Sequence, residues 1–290
     1  MIPLNDYPVL KIHEFGESED LSIIFLTPNI KNPVSVKFLN CVRSSTIDVR
    51  TIAVESSGKG FSFARSWNKG IEAFKERPSK FLVLSHDDIE FASDFLAKMF
   101  SFSLSRHSDT ILTPISYEGG RIVFPFVDFL PEDFFRMSSI ASHIPIFALS
   151  LFEGVRHGLN QRYFREHELP VDVNMIKNIP RNTYPRLFPI CIMSQSTIDK
   201  LSYFDEDFYF GEDTEFTFRA LLNGIKFGLI INLSVNHYGS FNVGKRESKK
   251  RMEKMEHIHR ELVAHRKIWY KYRHYYGEVK NMANTNFFIL

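Results

Sequence analysis

The chain has 290 residues, 44% hydrophobic and 24% charged, which is the balance of a globular protein rather than a disordered one. Two cysteines exclude a disulfide framework and suit a reducing compartment, and no run approaches the ~18 uninterrupted apolar residues of a membrane span. The net charge of +2 is uneven: residues 245–273 hold 11 Lys and Arg against 4 Glu, a local +7, so the remainder carries −5.

Met1 to Asp20 lack a basic start followed by an apolar run, so no secretory signal is expected. Leu21 to Thr27 is strongly apolar and runs into Pro28-Asn29, which predicts a strand and a turn. Asn32-Pro33 is suited to cap and start a helix, with Val34, Phe38, Cys41 and Val42 at helical spacing. Val49 to Val54 reads as a second strand that exits through Glu55-Ser-Ser-Gly58. A second helix is predicted from about Ser62 to Lys75, where Phe63, Trp67, Ile71 and Phe74 repeat on one face. Pro78 stops it, and Phe81 to Leu84 is the third strand.

Strand-helix-strand-helix-strand predicts a parallel sheet with right-handed crossovers. Ligands bind such sheets outside the carboxyl ends of the strands. Pro28-Asn29, Glu55-Ser56-Ser57 and His86-Asp87-Asp88 all stand at such ends and are expected to line one crevice. Two adjacent carboxylates at the tip of a buried strand repel each other and are costly to desolvate. A divalent cation would remove both penalties; a solvated strand exit is the plainer alternative.

Residues 119–188 are rich in Phe, Pro and His with poor periodicity, and are read as irregular structure with short helices folded over the crevice. Pro189 to Met193 and Phe227 to Asn232 are predicted strands, and Asp213 to Leu222 a helix with acidic residues in its first turn, as the helix dipole favours. One long helix is predicted from Glu247 to Tyr276.

The second acidic cluster is Gly211-Glu212-Asp213-Thr-Glu215. Alone, Asp213 reads as a helix cap. Beside Asp87 and Asp88 it suggests a division of labour, one group holding a metal and another taking a proton. His237 follows an apolar run and reads as a structural histidine or as a ligand beside carboxylates. Gly239 to Lys245 is a flexible loop whose Lys245 is suited to phosphates. Walker, G-x-G-x-x-G, zinc-finger and G-x-S-x-G patterns are absent.

In order along the chain, these motifs resemble a family 2 glycosyltransferase of the GT-A fold. The resemblance lies in Ser22 to Thr27, Glu55 to Gly58, Gly60 to Ile71 with its Trp67-Asn68-Lys-Gly, Phe81 to Phe91, Phe204 to Phe208, Gly211 to Arg219, and His237. It spans roughly residues 20–118 and 189–240. It implies a Rossmann-like, mostly parallel α/β sheet flanked by helices over residues 1–244, with 119–188 as an acceptor-side insert and 245–290 as a basic C-terminal helical extension. It further implies transfer of one sugar, with inversion, from a nucleotide-sugar, UDP-sugars being first candidates, to an acceptor hydroxyl on a glycan, lipid-linked or protein acceptor. Thr27, Pro28, Glu55, Asn68, Asp87 and Lys245 would bind the donor. Asp88, with His237 and His86, would hold Mn2+ or Mg2+. Asp213 would be the base, with Glu212 next in line. Two positions depart from the family pattern: Glu55 replaces the usual Asp at the nucleobase, and His86 the first acid of D-x-D. The Q-x-x-R-W motif of processive synthases is absent.

Two other readings stand beside this one. A nucleotidyltransferase would share sheet and metal, but needs a basic, Gly-rich loop where Thr27-Pro28-Asn29-Ile30 stands. A non-catalytic sugar-nucleotide or glycan-binding relative would have lost Asp88 or Asp213. In the C-terminal helix, Met255, Ile258, Leu262, His265, Trp269, Tyr272 and Tyr276 form a seam at three/four spacing. It suits the protein's own core first, then a homo-oligomer or an anionic membrane surface; nucleic acid is not expected. The expected location is the cytoplasm, with the inner face of a membrane as the variant.

Overall fold

The computed structural model describes residues 10–58, 61–106, 109–123, 125–149, 182–238 and 247–290. The three predicted strands are β2 (Leu21–Thr27), β3 (Arg50–Glu55) and β4 (Phe81–His86), which pair in parallel with β2 in the middle. β1 (Lys11–Phe15) runs antiparallel along the outside of β3. Beyond β4 lie β10 (Ile190–Ser194), β6 (Thr110–Glu118), β11 (Lys226–His237) and β12 (Phe287–Ile289), in that order. β10 is antiparallel to both neighbours, whereas β6, β11 and β12 pair in parallel. Six of the eight strands on this path therefore point the same way, and the fold is a mixed α/β layer structure around a mostly parallel sheet.

Alternation along β2 feeds two cores, one on each face of the sheet. Ile24 and Leu26 face α2 (Phe63–Glu76), whose Trp67, Ile71 and Phe74 are fully buried. Ile23 and Phe25 face α1 (Pro33–Arg43) and α3 (Phe95–Leu104), through Phe38, Leu39, Phe95 and Met99. The α1 start is the predicted one: Asn32 Oδ1 accepts the Val34 N–H at 3.1 Å and Pro33 opens the helix. Gly70 lets α2 approach the sheet, since a Cβ there would lie 2.6 Å from Ile24 Cγ2.

Several elements differ from expectation. β6 contains Pro114, which reads against a strand. It is tolerated because Pro114 pairs with Ile230 where the register with β11 slips, between Ile230 and Ser234. Residues 119–149 are more ordered than predicted. Gly119 and Gly120, at φ 57° and 80°, turn β6 back into β7 (Arg121–Val123). Then follow β8 (Phe126–Asp128), α4 (Glu132–Ala141) and α5 (Ile146–Leu149). β8 pairs with β9 (Thr183–Pro185) in a separate two-stranded sheet.

After β10 come α6 (Gln195–Leu201) and the acidic helix α7 (Glu212–Leu222). The long C-terminal helix stops earlier than predicted: α8 (Glu247–Tyr272) is followed by a turn, α9 (Tyr276–Thr285) and β12. Its seam lies in the protein's own core, with Met255, Ile258, Leu262, Ile268 and Tyr272 at most 7% exposed. The seam is thus not a free face for a partner helix or a bilayer. His265 meets Phe134 edge-on at 5.3 Å, and burial pushes its imidazole down to about 4. No helix among the described residues is long and apolar enough to cross a membrane.

Helix α8 is also tied electrostatically to α7. Glu215 is fully buried, and its carboxylate accepts from Arg219 (3.0 and 3.1 Å), Lys271 (2.8 Å) and Tyr272 (2.7 Å). Four donors offset the desolvation of that charge. Burial alone would raise the Glu215 carboxyl, but these partners hold it below its ordinary value.

Gly70→Ala tests the contact between α2 and β2. Helix propensity alone favours Ala by about 1 kcal/mol. Overpacking against Ile24 is expected to outweigh that, for a net loss of about 1 kcal/mol. The expected result is a lower midpoint in urea denaturation; an unchanged or higher midpoint would show that α2 shifts freely.

Candidate active site

The sheet register assembles the strand ends. Thr27 pairs with Glu55 across β2 and β3, and Leu26 with His86 across β2 and β4. After Asp88 the chain forms the short β5 (Ile89–Glu90), antiparallel to the end of β11, so that His237 faces Ile89. The Tyr238 N–H donates to Asp88 O at 2.8 Å. On the other side of β11, His237 pairs with Glu118 of β6. Residues far apart in sequence thus meet along one edge.

His86, Asp88 and His237 bring one ligand-type atom each to within 4.8 Å of one another. Asp88 Oδ1 lies 3.2 Å from His237 Nε2 and 4.0 Å from His86 Nδ1. It is buried, pairs electrostatically with His237 and makes no well-aligned hydrogen bond. A buried carboxylate oxygen between two imidazole nitrogens is a donor set that suits a cation. Burial raises the Asp88 carboxyl, but the close contact with His237 and its charge outweigh it and leave it below its ordinary value. His86 is stacked on Phe188 at 5.0 Å, and Phe188 on Trp67 at 4.9 Å. Burial in that aromatic column pushes His86 down to about 4, so its ring is neutral, as a metal ligand must be. His237 Nδ1 lies 2.5 Å from Glu118 Oε1. Burial lowers the His237 pKa, but Asp88 and Glu118 raise it further and set the net direction upward.

Asp87 points to the other side. Thr27 Oγ1, Ser35 Oγ and Asp87 Oδ2 form a chain with 2.6 Å at each link. Burial raises the Asp87 carboxyl, and the Ser35 and Thr27 hydroxyls only partly offset this. Thr27 also accepts the Asn29 N–H at 3.1 Å, which fixes the turn and leaves Pro28 exposed. Glu55 Oε2 accepts the Ile30 N–H at 3.2 Å, the main cause of its lowered carboxyl pKa. Lys11 and His13 of β1 stand 3.8 and 3.4 Å from the same carboxylate.

Asn68 is placed differently from the donor-binding expectation. It is 5% exposed, donates to Phe204 O and Glu206 Oε1, each at 2.9 Å, and accepts the Phe204 N–H at 2.7 Å. Its amide is fully engaged in holding the loop before α7. Lys245, with its loop from Gly239, lies outside the described residues.

The second acidic cluster opens α7. The cap position is Gly211, in the left-handed region at φ 76°, and makes no side-chain cap bond. Asp213 is therefore not the helix cap; it sits in the first turn, half-buried. Glu212 is 7% exposed, and burial together with the Asp213 charge pushes its carboxyl up to about 8. The residues that join this helix end to the metal-type cluster belong to β9 and its exit. Tyr184 Oη lies 3.4 Å from Thr214 Oγ1 and feels the Asp213 charge, Arg186 acts electrostatically on both Tyr184 and His86, and Phe188 stacks on His86.

Ser35, Glu118, Arg186 and Phe188 were not singled out from the sequence. Glu118 carried a usable signal, because it ends an apolar run and precedes Gly-Gly, the same strand-end position that marked Asp87 and Asp88. The others lie in a helix and an irregular segment, where spacing says nothing of their neighbours.

Comparison of the sequence with protein-family models and with curated proteins gives no match. Among solved structures, S. aureus TarS is similar at 13% identity over 76% of this chain and 37% of that chain, with a TM-score of 0.43. Its 1–349 segment in complex with UDP is similar at 14% identity over 83% of this chain and 65% of that chain, with a TM-score of 0.45. The same segment in complex with UDP-GlcNAc gives 0.42. The chain thus spans less than two thirds of the length of the structures it resembles, and the likeness is loose.

The raised Glu212 carboxyl has a consequence for stability. The folded state holds this proton more tightly than the unfolded chain, whose value is near 4.5. The contribution is therefore full below about pH 4.5 and is lost as pH rises through about 8. Glu212→Gln keeps the shape without the titration. Its Tm relative to wild type is expected to climb steadily across that window; two parallel Tm curves would refute the buried-proton assignment.

Proposed function

We propose that the protein is a metal-dependent, inverting glycosyltransferase that moves a single sugar from a nucleotide-sugar to an acceptor hydroxyl. The observation that carries this reading is the cluster of Asp88 Oδ1 between His86 and His237 at the carboxyl edge of the parallel strands. The nucleoside side is supplied by Thr27, Pro28, Glu55 and Asp87, and the acceptor side by Glu212 and Asp213. His86 Nδ1, Asp88 Oδ1 and His237 Nε2 are the atoms that would hold the cation. Two imidazoles beside one carboxylate favour Mn2+ over Mg2+, which prefers oxygen ligands. When bound, such an ion supplies Lewis-acid stabilisation of charge on a departing diphosphate.

The chain's own residues account for the proton and the bond change. The acceptor oxygen attacks the anomeric carbon, the bond from that carbon to the diphosphate oxygen breaks, and the diphosphate leaves with the electron pair. Asp213 takes the hydroxyl proton. Its neighbour Glu212, pushed up to about 8, keeps its proton near neutrality, which leaves Asp213 as the candidate base of the pair. Arg186, whose charge acts on both His86 and Tyr184, would be a partner for a diphosphate.

A second reading follows from the donor set itself. Two histidines and one carboxylate also suit ferrous iron in oxygenases. Metal preference separates the two, since glycosyl transfer is supported by redox-inert ions without oxygen consumption.

The direct test is a screen of nucleotide-sugars, UDP-sugars first, scoring nucleoside diphosphate release with Mn2+ and with chelator. Asp88→Ala is expected to abolish the Mn2+-dependent part of nucleotide binding in calorimetry. Asp213→Asn is expected to lower turnover by roughly 10²-fold or more while leaving donor affinity nearly unchanged. Near-normal turnover of a folded Asp213→Asn protein would move the base to Glu212. Equal nucleotide affinity with and without chelator would end the metal reading.

A further inference from the structure

Glu118 is placed by the same strand register as a proposed ligand, His237. It closes β6 and pairs with His237 of β11, and the left-handed pair Gly119 and Gly120 turns the chain away immediately after it. Its Oε1 lies 2.5 Å from His237 Nδ1. The other ring nitrogen, Nε2, is 3.2 Å from Asp88 Oδ1. The Nδ1 that Glu118 faces keeps its hydrogen, which the carboxylate oxygen accepts. A cation would therefore displace hydrogen from Nε2 and take the electron pair there, on the Asp88 side.

We infer that Glu118 is a positioning residue: it fixes the tautomer and the orientation of His237 so that Nε2, together with Asp88 and His86, takes a divalent cation. The inference rests on the metal reading above and deepens it. Histidine ligands commonly give their second N–H to a carboxylate, which also strengthens the ligating nitrogen as a donor. Register makes the arrangement independent of the metal: backbone pairing of β6 with β11 sets the two side chains next to each other on the same face, whatever lies beyond Nε2. Among the described residues the His86 ring is held by stacking on Phe188 rather than by an acceptor.

Glu118→Gln and Glu118→Leu separate the roles. Gln still accepts the Nδ1–H through its carbonyl oxygen, whereas Leu fills similar space and accepts nothing. Mn2+ binding to the purified full chain is read from the free-ion signal in electron paramagnetic resonance. Thermal melts in chelator report on folding. Expected is an affinity order of wild type, then Gln by a few-fold, then Leu by roughly 10–100-fold, with melts little changed. In histidine-selective 15N spectra of the Cd2+-loaded protein, wild type should show Nδ1–H with the cadmium shift at Nε2. The Leu variant should show that pattern weakened or mixed. If wild type binds Mn2+ and all three proteins bind it equally, Glu118 does not position His237, although the metal reading stands. If wild type binds neither Mn2+ nor Cd2+, the metal reading fails and this inference with it. Should the Leu variant not fold, the Gln variant alone decides by the same two readouts.

Discussion

The constraint on which the site depends is the register of the end of β11. One strand end is paired on both sides, with β6 in parallel and with β5 in antiparallel. Because β5 begins at Ile89, this pairing fixes the backbone that leaves Asp88, and the Tyr238 N–H to Asp88 O bond closes it. Side chains alternate with a period of two along a strand. A slip of one residue would turn His237 to the opposite face and remove it from Glu118 and Asp88 together. The slip between Ile230 and Ser234, opposite Pro114, is what brings the upper half of β11 into that phase. An irregularity that looks like a defect of the sheet is therefore part of how the cluster is built.

Charge is handled by different means at the two acidic clusters. At α7 the carboxylates are sorted by burial. Glu215 is fully buried but surrounded by donors from Arg219, Lys271 and Tyr272, so it remains ionised and holds α8 against α7. Glu212, one turn earlier, is nearly as buried, lacks such cations and is pushed up to about 8. Asp213 is left half-exposed at the positive end of the helix. Gly211 has its would-be Cβ 3.2 Å from Ala264 Cβ, so α8 also limits where α7 begins. The C-terminal segment, whose basic composition suggested an outside partner, has an internal task in positioning this helix end.

The sequence carried the parallel half of the fold clearly. Apolar runs broken by Asn32-Pro33, Ser62 and Pro78 mark β2, β3, β4, α1 and α2 almost to the residue, because caps and breakers act locally. The strand-end rule then picked out Pro28-Asn29, Glu55 to Ser57 and the His86 to Asp88 run, and the strands leading into them do pair in register along one edge. What stayed hidden depends on contacts between distant segments. β6 was masked by its proline, and with it went Glu118. Ser35 sits on an otherwise ordinary helix, and only the fold brings its hydroxyl to Asp87. Asn68 was read through the family motif as a donor contact, yet its amide is occupied by Phe204 and Glu206.

That a histidine rather than a carboxylate stands at position 86 is best understood through its surroundings. A carboxylate in the column of Phe188 and Trp67 would be desolvated without a partner, a penalty of several kcal/mol for an isolated charge. A neutral imidazole stacks there at little cost and still offers Nδ1 toward Asp88. The exchange removes one negative charge from the cluster, which lowers the attraction for any divalent ion. Glu118 restores a negative charge nearby, but behind His237 rather than beside Asp88. The charge then acts through the imidazole instead of repelling Asp88 directly. A site arranged in this way avoids stacking three carboxylates at one buried strand tip, and it keeps a carboxylate and two nitrogen donors facing the same point.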